Sequence, residues 1–277
     1  MLLGVMIAVS VAAALGICLL TGAFLGLTWL WLLPVLSIGF LLIGIILAFL
    51  FLLLITSVVD LNKEQKEDSK LYRKTTELYL QSALRPLGWH ITTKGMEKLP
   101  KEGRFLLVSN HVALADPVVL LHVFSGKQLA FISKRENQSM FIVGKLMHKL
   151  LCQPINREND KEALKTIIKC IQILREDKAS VAVFPEGYIH EDKKLHHFRP
   201  GVFKIAKKAN VPIVVCTMKN TKDAIPNMLH LRKTDIEVSL LDVIYPESYA
   251  DLDTTEMARQ IYERMAADLG PDLVAEE

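Results

Sequence analysis

The sequence predicts an α/β domain, a mostly parallel sheet flanked by helices, preceded by an N-terminal two-helix membrane hairpin. Three observations predict it. From Met1 to Val59 there is no Asp, Glu, Lys, Arg or His, and Asp60 is the first charge. After residue 88, short Val- and Ile-rich runs alternate with longer segments of helical period, the pattern of strands joined by crossover helices. Two such runs empty into polar loops, Asn110-His111-Val-Ala-Leu-Ala-Asp116-Pro117 and Phe184-Pro-Glu186-Gly187.

One membrane span needs about 20 apolar residues, so the uncharged N-terminus has room for two. Helices are expected near residues 3 to 25 and 34 to 58, with the break between Gly26 and Pro34. Trp29 and Trp31 there suit a headgroup belt, and Pro34 suits the first turn of a new helix. A cleaved signal peptide fits poorly, because no basic residue precedes the apolar stretch and that stretch far exceeds the roughly 7 to 15 residues of such a core. Gly4, Gly16, Gly22, Gly26, Gly39 and Gly44 would let two helices approach closely. A spanning hairpin and one dipping into a single leaflet are both compatible with this pattern. Lys63, Lys66, Lys70, Arg73 and Lys74 follow the second span, which by the positive-inside tendency puts the remaining domain on the cytoplasmic side of the membrane.

Residues 60–87 carry Leu71, Leu78, Leu80 and Leu84 with Tyr72 and Tyr79 among many charges, which predicts an amphipathic linker helix. It serves either as a solvated connector or as a helix lying on the headgroups. Residues 88–277 then form the α/β domain, long enough for one core. The net charge of +3 argues against a nucleic-acid binder. Cys18, Cys152, Cys170 and Cys216 show no paired short spacing, which suggests neither a zinc site nor a disulfide framework.

Strands are expected at 89–93, 105–109, 129–133, 151–155, 180–184, 212–218 and 236–243, and helices at 117–123, 138–150, 161–176, 201–209 and 254–269. Phe131, Phe141 and Phe203 read as core, while Met140 and Met147 read as packing or as the lining of an apolar tunnel. In open α/β sheets the ligand crevice lies beyond the carboxyl ends of the strands, where both polar loops fall.

His111 and Asp116 lie five positions apart, about 140° around a continuous helix, so a contact between them requires a turn. Asp116 before Pro117 reads as an N-cap, with His111 in the preceding loop folding back onto it. One carboxylate oxygen would then accept from the helix N–H groups and the other from the imidazole. The plainer alternative has Asp116 only capping and His111 on the surface. No G-x-S-x-G elbow occurs in the chain, so a base with an orienting acid points to a substrate that brings its own hydroxyl. His190, His196 and His197 near Glu191 and Asp192 fit no familiar zinc spacing, and no metal site is expected.

The run Asn110-His111-x-x-x-x-Asp116 together with Phe184-Pro-Glu-Gly resembles the glycerolipid acyltransferase family, which includes 1-acylglycerol-3-phosphate acyltransferases. The resemblance continues through Gln153-Pro-Ile-Asn-Arg157, Phe198-Arg-Pro-Gly201 and Val211-Pro-Ile-Val-Val215, and covers about residues 89 to 221. It implies a membrane-anchored O-acyltransferase of phospholipid biosynthesis that esterifies the free hydroxyl of 1-acylglycerol-3-phosphate to give phosphatidic acid. By the same resemblance His111 is the general base and Asp116 orients it. Asn110, Lys134, Arg157, Glu186, Gly187 and Arg199 are the expected substrate-binding residues. Arg157 is the foremost phosphate partner, Glu186 accepts from a glycerol hydroxyl on the floor of the site, and Gly187 permits close backbone approach. No cofactor is implied; acyl-CoA or acyl carrier protein is the co-substrate, and the acceptor is a membrane lipid. The sequence departs from the pattern after Gly187, where Tyr188-Ile189-His190 replaces a frequent Thr-Arg-Ser and Arg199 becomes the candidate for the missing charge. Another lysophospholipid or glycerol 3-phosphate thus stays open as acceptor, and a membrane-bound thioester or lipid hydrolase stays open as a second class.

Overall fold

A computed structural model describes residues 2–156 and 158–276, so Arg157 lies outside the described residues. Helices α1 (Leu2–Leu20) and α2 (Trp29–Ser57) pack as a hairpin, and both are long and apolar enough to cross a membrane. The chain reverses through Gly22, which takes a left-handed φ of 66°. The turn therefore falls earlier than expected, and Pro34 sits in the second turn of α2 instead of opening it. The N–H of Leu32 donates to the Thr28 carbonyl (3.1 Å). In an apolar surrounding the peptide groups around Trp29 need such partners, and proline in the second turn forfeits only one of them.

The third helix, α3 (Lys70–Ala83), is shorter than the expected linker and is no solvated connector. Its Tyr72, Arg73 and Thr75 are buried. The Tyr72 hydroxyl donates to the Ile55 carbonyl (2.6 Å), the Tyr79 hydroxyl donates to the Ala48 carbonyl (2.5 Å), and the Leu2 N–H donates to Ser82 Oγ (3.1 Å). Rising numbers on α3 meet falling numbers on α2, so the two helices run antiparallel side by side. Ahead of α3, Arg73 holds Asp68 through two hydrogen bonds of 2.6 and 3.3 Å, with both side chains buried.

Seven strands follow: β1 (Trp89–Lys94), β2 (Leu106–Ser109), β3 (Leu129–Lys134), β4 (Gln153–Ile155), β5 (Ser180–Val183), β6 (Ile213–Lys219) and β7 (Thr234–Ile244). They form one sheet in the order β1-β7-β6-β2-β5-β3-β4. All neighbours are parallel except β6 and β7, so β1 and β7 point opposite to the other five. Helices α4 (Asp116–Val123), α5 (Val143–Lys149), α6 (Asp160–Arg175), α7 (Lys204–Ala209), α8 (Ala224–Leu229), α9 (Pro246–Tyr249) and α10 (Thr254–Leu269) cover the faces.

Strand alternation sorts the core into two layers. Leu106, Val108, Val181, Val183, Ile213 and Val215 face α6, α7 and α10, whereas Leu107, Ala182, Val214, Cys216, Ile236 and Val238 face α3, α4 and α8. Each fully buried side chain of Leu or Val size stabilises by about 1.5–3 kcal/mol against exposure. The expected helix over 138–150 is broken instead into a 3₁₀ turn, Arg135–Ser139, and the short α5. Gly144 explains the break: a Cβ there would lie 2.1 Å from the Gln138 carbonyl oxygen, so the two segments fold tightly back on each other. Phe131 and Phe203 are buried as expected, but Phe141 is largely exposed at that break, with Lys145 Nζ 5.1 Å from its ring centroid.

Candidate active site

Strands β2 and β5 are neighbours in register, Val108 beside Val183, so their following loops leave the sheet side by side. From β2 the chain turns into α4, whose Val119 and Leu120 pack on one layer; beyond β5 it reaches α7, whose Ile205 and Ala206 pack on the other. Adjacent parallel strands whose connections depart to opposite faces create the crevice in which α/β proteins bind ligands.

His111 and Phe184 are the first side chains of those loops to meet, with rings stacked 4.1 Å apart at 15°. His111 Nδ1 lies 2.9 Å from Asp116 Oδ2. That oxygen also accepts the N–H groups of Val112 (2.8 Å) and Ala113 (2.9 Å). Asp116 thus tightens its own loop and does not cap α4, contrary to the expected division between its oxygens: helix α4 starts at Asp116 itself, with Ala115 in the cap position and no side-chain cap. Oδ1 is buried without a hydrogen-bond partner among the described residues, and the whole residue is excluded from solvent. With Nδ1 donating to this carboxylate, Nε2 of His111 is left as the unprotonated nitrogen able to accept a proton from outside.

Asn110 is buried at the end of β2, with its amide turned to the main chain. Its Oδ1 accepts the Met218 N–H (2.8 Å) and its Nδ2 donates to the Met218 carbonyl (2.9 Å), which ties the end of β2 to β6 in a buried position. Glu186 is buried as well. Only 2% exposed, it accepts the His111 N–H on Oε1 (2.7 Å) and the His196 N–H on Oε2 (2.9 Å), so each oxygen already holds one main-chain group. Burial pushes its carboxyl up to about 8, against the pull of those two N–H groups. Its carboxyl group clamps the loop after β2 to the long loop after β5.

Gly187 closes the turn with φ 93°, its N–H donating to the Phe184 carbonyl (3.0 Å). A Cβ here would lie 2.9 Å from Arg199 Nε, so the guanidinium packs against the bare glycine. Arg199 also sits over the Tyr188 ring (5.8 Å) and donates its backbone N–H to the Pro185 carbonyl (2.9 Å). It is the cation the structure brings to the Phe-Pro-Glu-Gly turn. Lys134 ends β3 on the same edge of the sheet, exposed, with its Nζ 3.5 Å from Glu136. His190 and His196 stack at 3.5 Å, and His196 Nε2 meets Asp192 at 2.9 Å. The ring of Phe184, the Met218 main chain and the His196 N–H had no assigned role in the sequence; only Phe184, at the carboxyl end of a central strand, left a signal that could have found it.

Residues 90–219 match the family model described as Acyltransferase. The chain is 31% identical to a chloroplastic 1-acyl-sn-glycerol-3-phosphate acyltransferase of Brassica napus, over 62% of this chain and 50% of that protein. It is also 31% identical to a 1-acyl-sn-glycerol-3-phosphate acyltransferase of Chlamydomonas reinhardtii, over 67% of this chain and 55% of that protein. The chain thus spans about half the length of these two relatives. In fold it is similar to the crystal structure of the 1-acyl-sn-glycerophosphate acyltransferase PlsC from Thermotoga maritima, with TM-score 0.58 and 21% identity, over 79% of this chain and 87% of that one. The matched segment runs from β1 through β6 and encloses both loops of the crevice, so over that stretch the α/β domain is similar to the acyltransferase family.

Proposed function

We propose that this protein is a membrane-anchored O-acyltransferase that moves a fatty acyl group from acyl-CoA or acyl carrier protein to the free hydroxyl of 1-acylglycerol-3-phosphate, giving phosphatidic acid. The observation that carries this reading is the His111 imidazole held by buried Asp116, with no hydrogen-bond partner on its other nitrogen among the described residues. In the proposed step Nε2 takes the proton of the acceptor hydroxyl as its oxygen attacks the thioester carbonyl. The carbon–sulfur bond then breaks, and the imidazolium returns the proton to the departing thiolate. Asp116 keeps Nδ1 protonated and stabilises the transient positive ring. A positioned base of this kind supplies about 10² to 10⁴ in rate.

The acceptor class rests on the names of the plant and algal relatives, and a phosphate on it would meet Arg199 and Lys134, with Arg157 as the third cation. The apolar hairpin is consistent with an acceptor and product that stay in the bilayer while a soluble donor arrives from outside it. The test is a panel of radiolabelled acceptors, with and without a phosphate, offered with one acyl-CoA to the purified full chain and to His111→Ala. The expected result is labelled phosphatidic acid from 1-acylglycerol-3-phosphate, lost in the variant while its thermal midpoint holds. Thiol release independent of acceptor would replace the transferase by a hydrolase, and preference for another lysophospholipid or glycerol 3-phosphate would replace the acceptor.

A further inference from the structure

Leu231 is 96% exposed and Leu229 72%, and Leu231 sits in a left-handed turn with φ 54°. Leucine gains nothing in water at such a position and its backbone is costly there, so a rigid turn presenting two bare leucines calls for a partner. The turn is braced. The Arg232 N–H donates to the Asn227 carbonyl (2.8 Å), the Leu231 N–H to the Met228 carbonyl (3.1 Å), and the Thr234 N–H to the Gly88 carbonyl (2.8 Å). Gly88, at φ 87°, lets the Arg232 carbonyl within 2.8 Å of where a Cβ would be. This locks the turn before β7 to the turn before β1, which adds exposed Leu87. Arg85, Arg232 and Lys233 surround the leucines; all three are exposed, and none forms an ion pair among the described residues. The nearby carboxylate, Asp235, lies 4.0 Å from His90 Nδ1.

Two independent directions say what this surface faces. First, α3 runs down α2 from the level of Ile55 to that of Ala48, away from the charged end at Asp60 and along the apolar length of the hairpin. Seven residues separate the contacts on each helix, about 10 Å of descent. The turn at 85–88 lies at the lower end of α3. Second, β7 is antiparallel to β6, with Glu237 opposite Lys219, so the starts of β1 and β7 lie at the same edge of the sheet as the carboxyl ends of β2 and β6. The leucine turn and the loop of His111, including Leu114 at 75% exposure, therefore share one edge.

We propose that Leu87, Leu229 and Leu231, ringed by Arg85, Arg232 and Lys233, form a second membrane contact that inserts into the leaflet surface beside the hairpin and holds the crevice edge of the sheet against an anionic lipid surface. Exposed leucines supply the apolar burial and the unpaired cations match anionic headgroups. A second copy of this chain is the competing occupant. The test uses the full chain in vesicles of phosphatidylcholine mixed with phosphatidylglycerol, with a nitroxide on Leu231→Cys, on Leu229→Cys, or on Glu102→Cys at the opposite edge. The native cysteines are buried and stay unlabelled. Collision with dissolved oxygen should dominate at 231 and 229, and collision with a water-soluble nickel chelate at 102. Equal nickel access at all three sites overturns the proposal, as does spin–spin broadening between copies labelled at 231. The readout needs no turnover, so its failure is distinguishable from failure of the acyl-transfer reading.

Discussion

The imidazole of His111 is held by three groups: a buried carboxylate on its ring, a phenyl face against it and a second carboxyl group on its own peptide N–H. The last of these is Glu186, whose carboxyl burial raises from an ordinary 4.5 to about 8. Within that window the folded chain retains a proton that the unfolded chain has released, so unfolding free energy falls as pH rises. Stability from this residue is complete below the unfolded value and is lost as pH passes through the folded one. Thermal midpoints in mild detergent should therefore fall more steeply between about pH 5 and pH 8 for the wild type than for Glu186→Gln. Parallel profiles would remove Glu186 as the source. The pairing of His111 with Asp116 was legible in the sequence because five residues and a proline suffice to imply a turn. The main-chain contacts of Asn110 and Glu186 were not, since their partners at Met218, His111 and His196 carry no side-chain signature. A motif residue that clamps a loop looks the same in sequence as one that touches a ligand.

At the scale of elements, the central strands β2, β5 and β6 were legible from apolar runs bounded by turn residues, because burial on both faces leaves few alternatives for such runs. The short helices α8 and α9 were not, with Pro226 inside one and Pro246 opening the other, because four to six residues carry too little periodicity. Tight turns between elements are where single side chains decide most. At Gly88 a methyl group would meet the Arg232 carbonyl oxygen at 2.8 Å on a backbone with φ 87°. Gly88→Ala should cost about 1–3 kcal/mol, since backbone on backbone cannot yield as a side chain would. Gly187→Ala meets only the flexible end of Arg199, so its loss should be smaller and appear as displacement of the guanidinium. Chemical unfolding of the two variants checks the order, and a greater loss at 187 would contradict this account.

For the whole molecule, the junction between hairpin and α/β domain rests on buried polar contacts. Arg73 and Asp68 pair with almost no solvent access, 6% and 2% for their side chains. Removing one partner strands the other charge, so Arg73→Met should destabilise by about 3–5 kcal/mol, and Arg73→Met combined with Asp68→Leu should recover much of that. Unfolding midpoints of single and double variants decide it; equal losses would mean that packing, and not charge, holds the junction. The sequence signalled this segment as amphipathic, but its partner helix comes from the uncharged N-terminus, whose uniform apolarity marks no preferred face. Tyr72 and Tyr79 grip carbonyls exactly one heptad apart on α2, so the hairpin behaves as a ruler with two engraved marks. Length added between Trp29 and Gly44 would deepen the stalk and leave the altitude of the α/β domain untouched, whereas a residue inserted between Ala48 and Ile55 would let only one tyrosine find its notch.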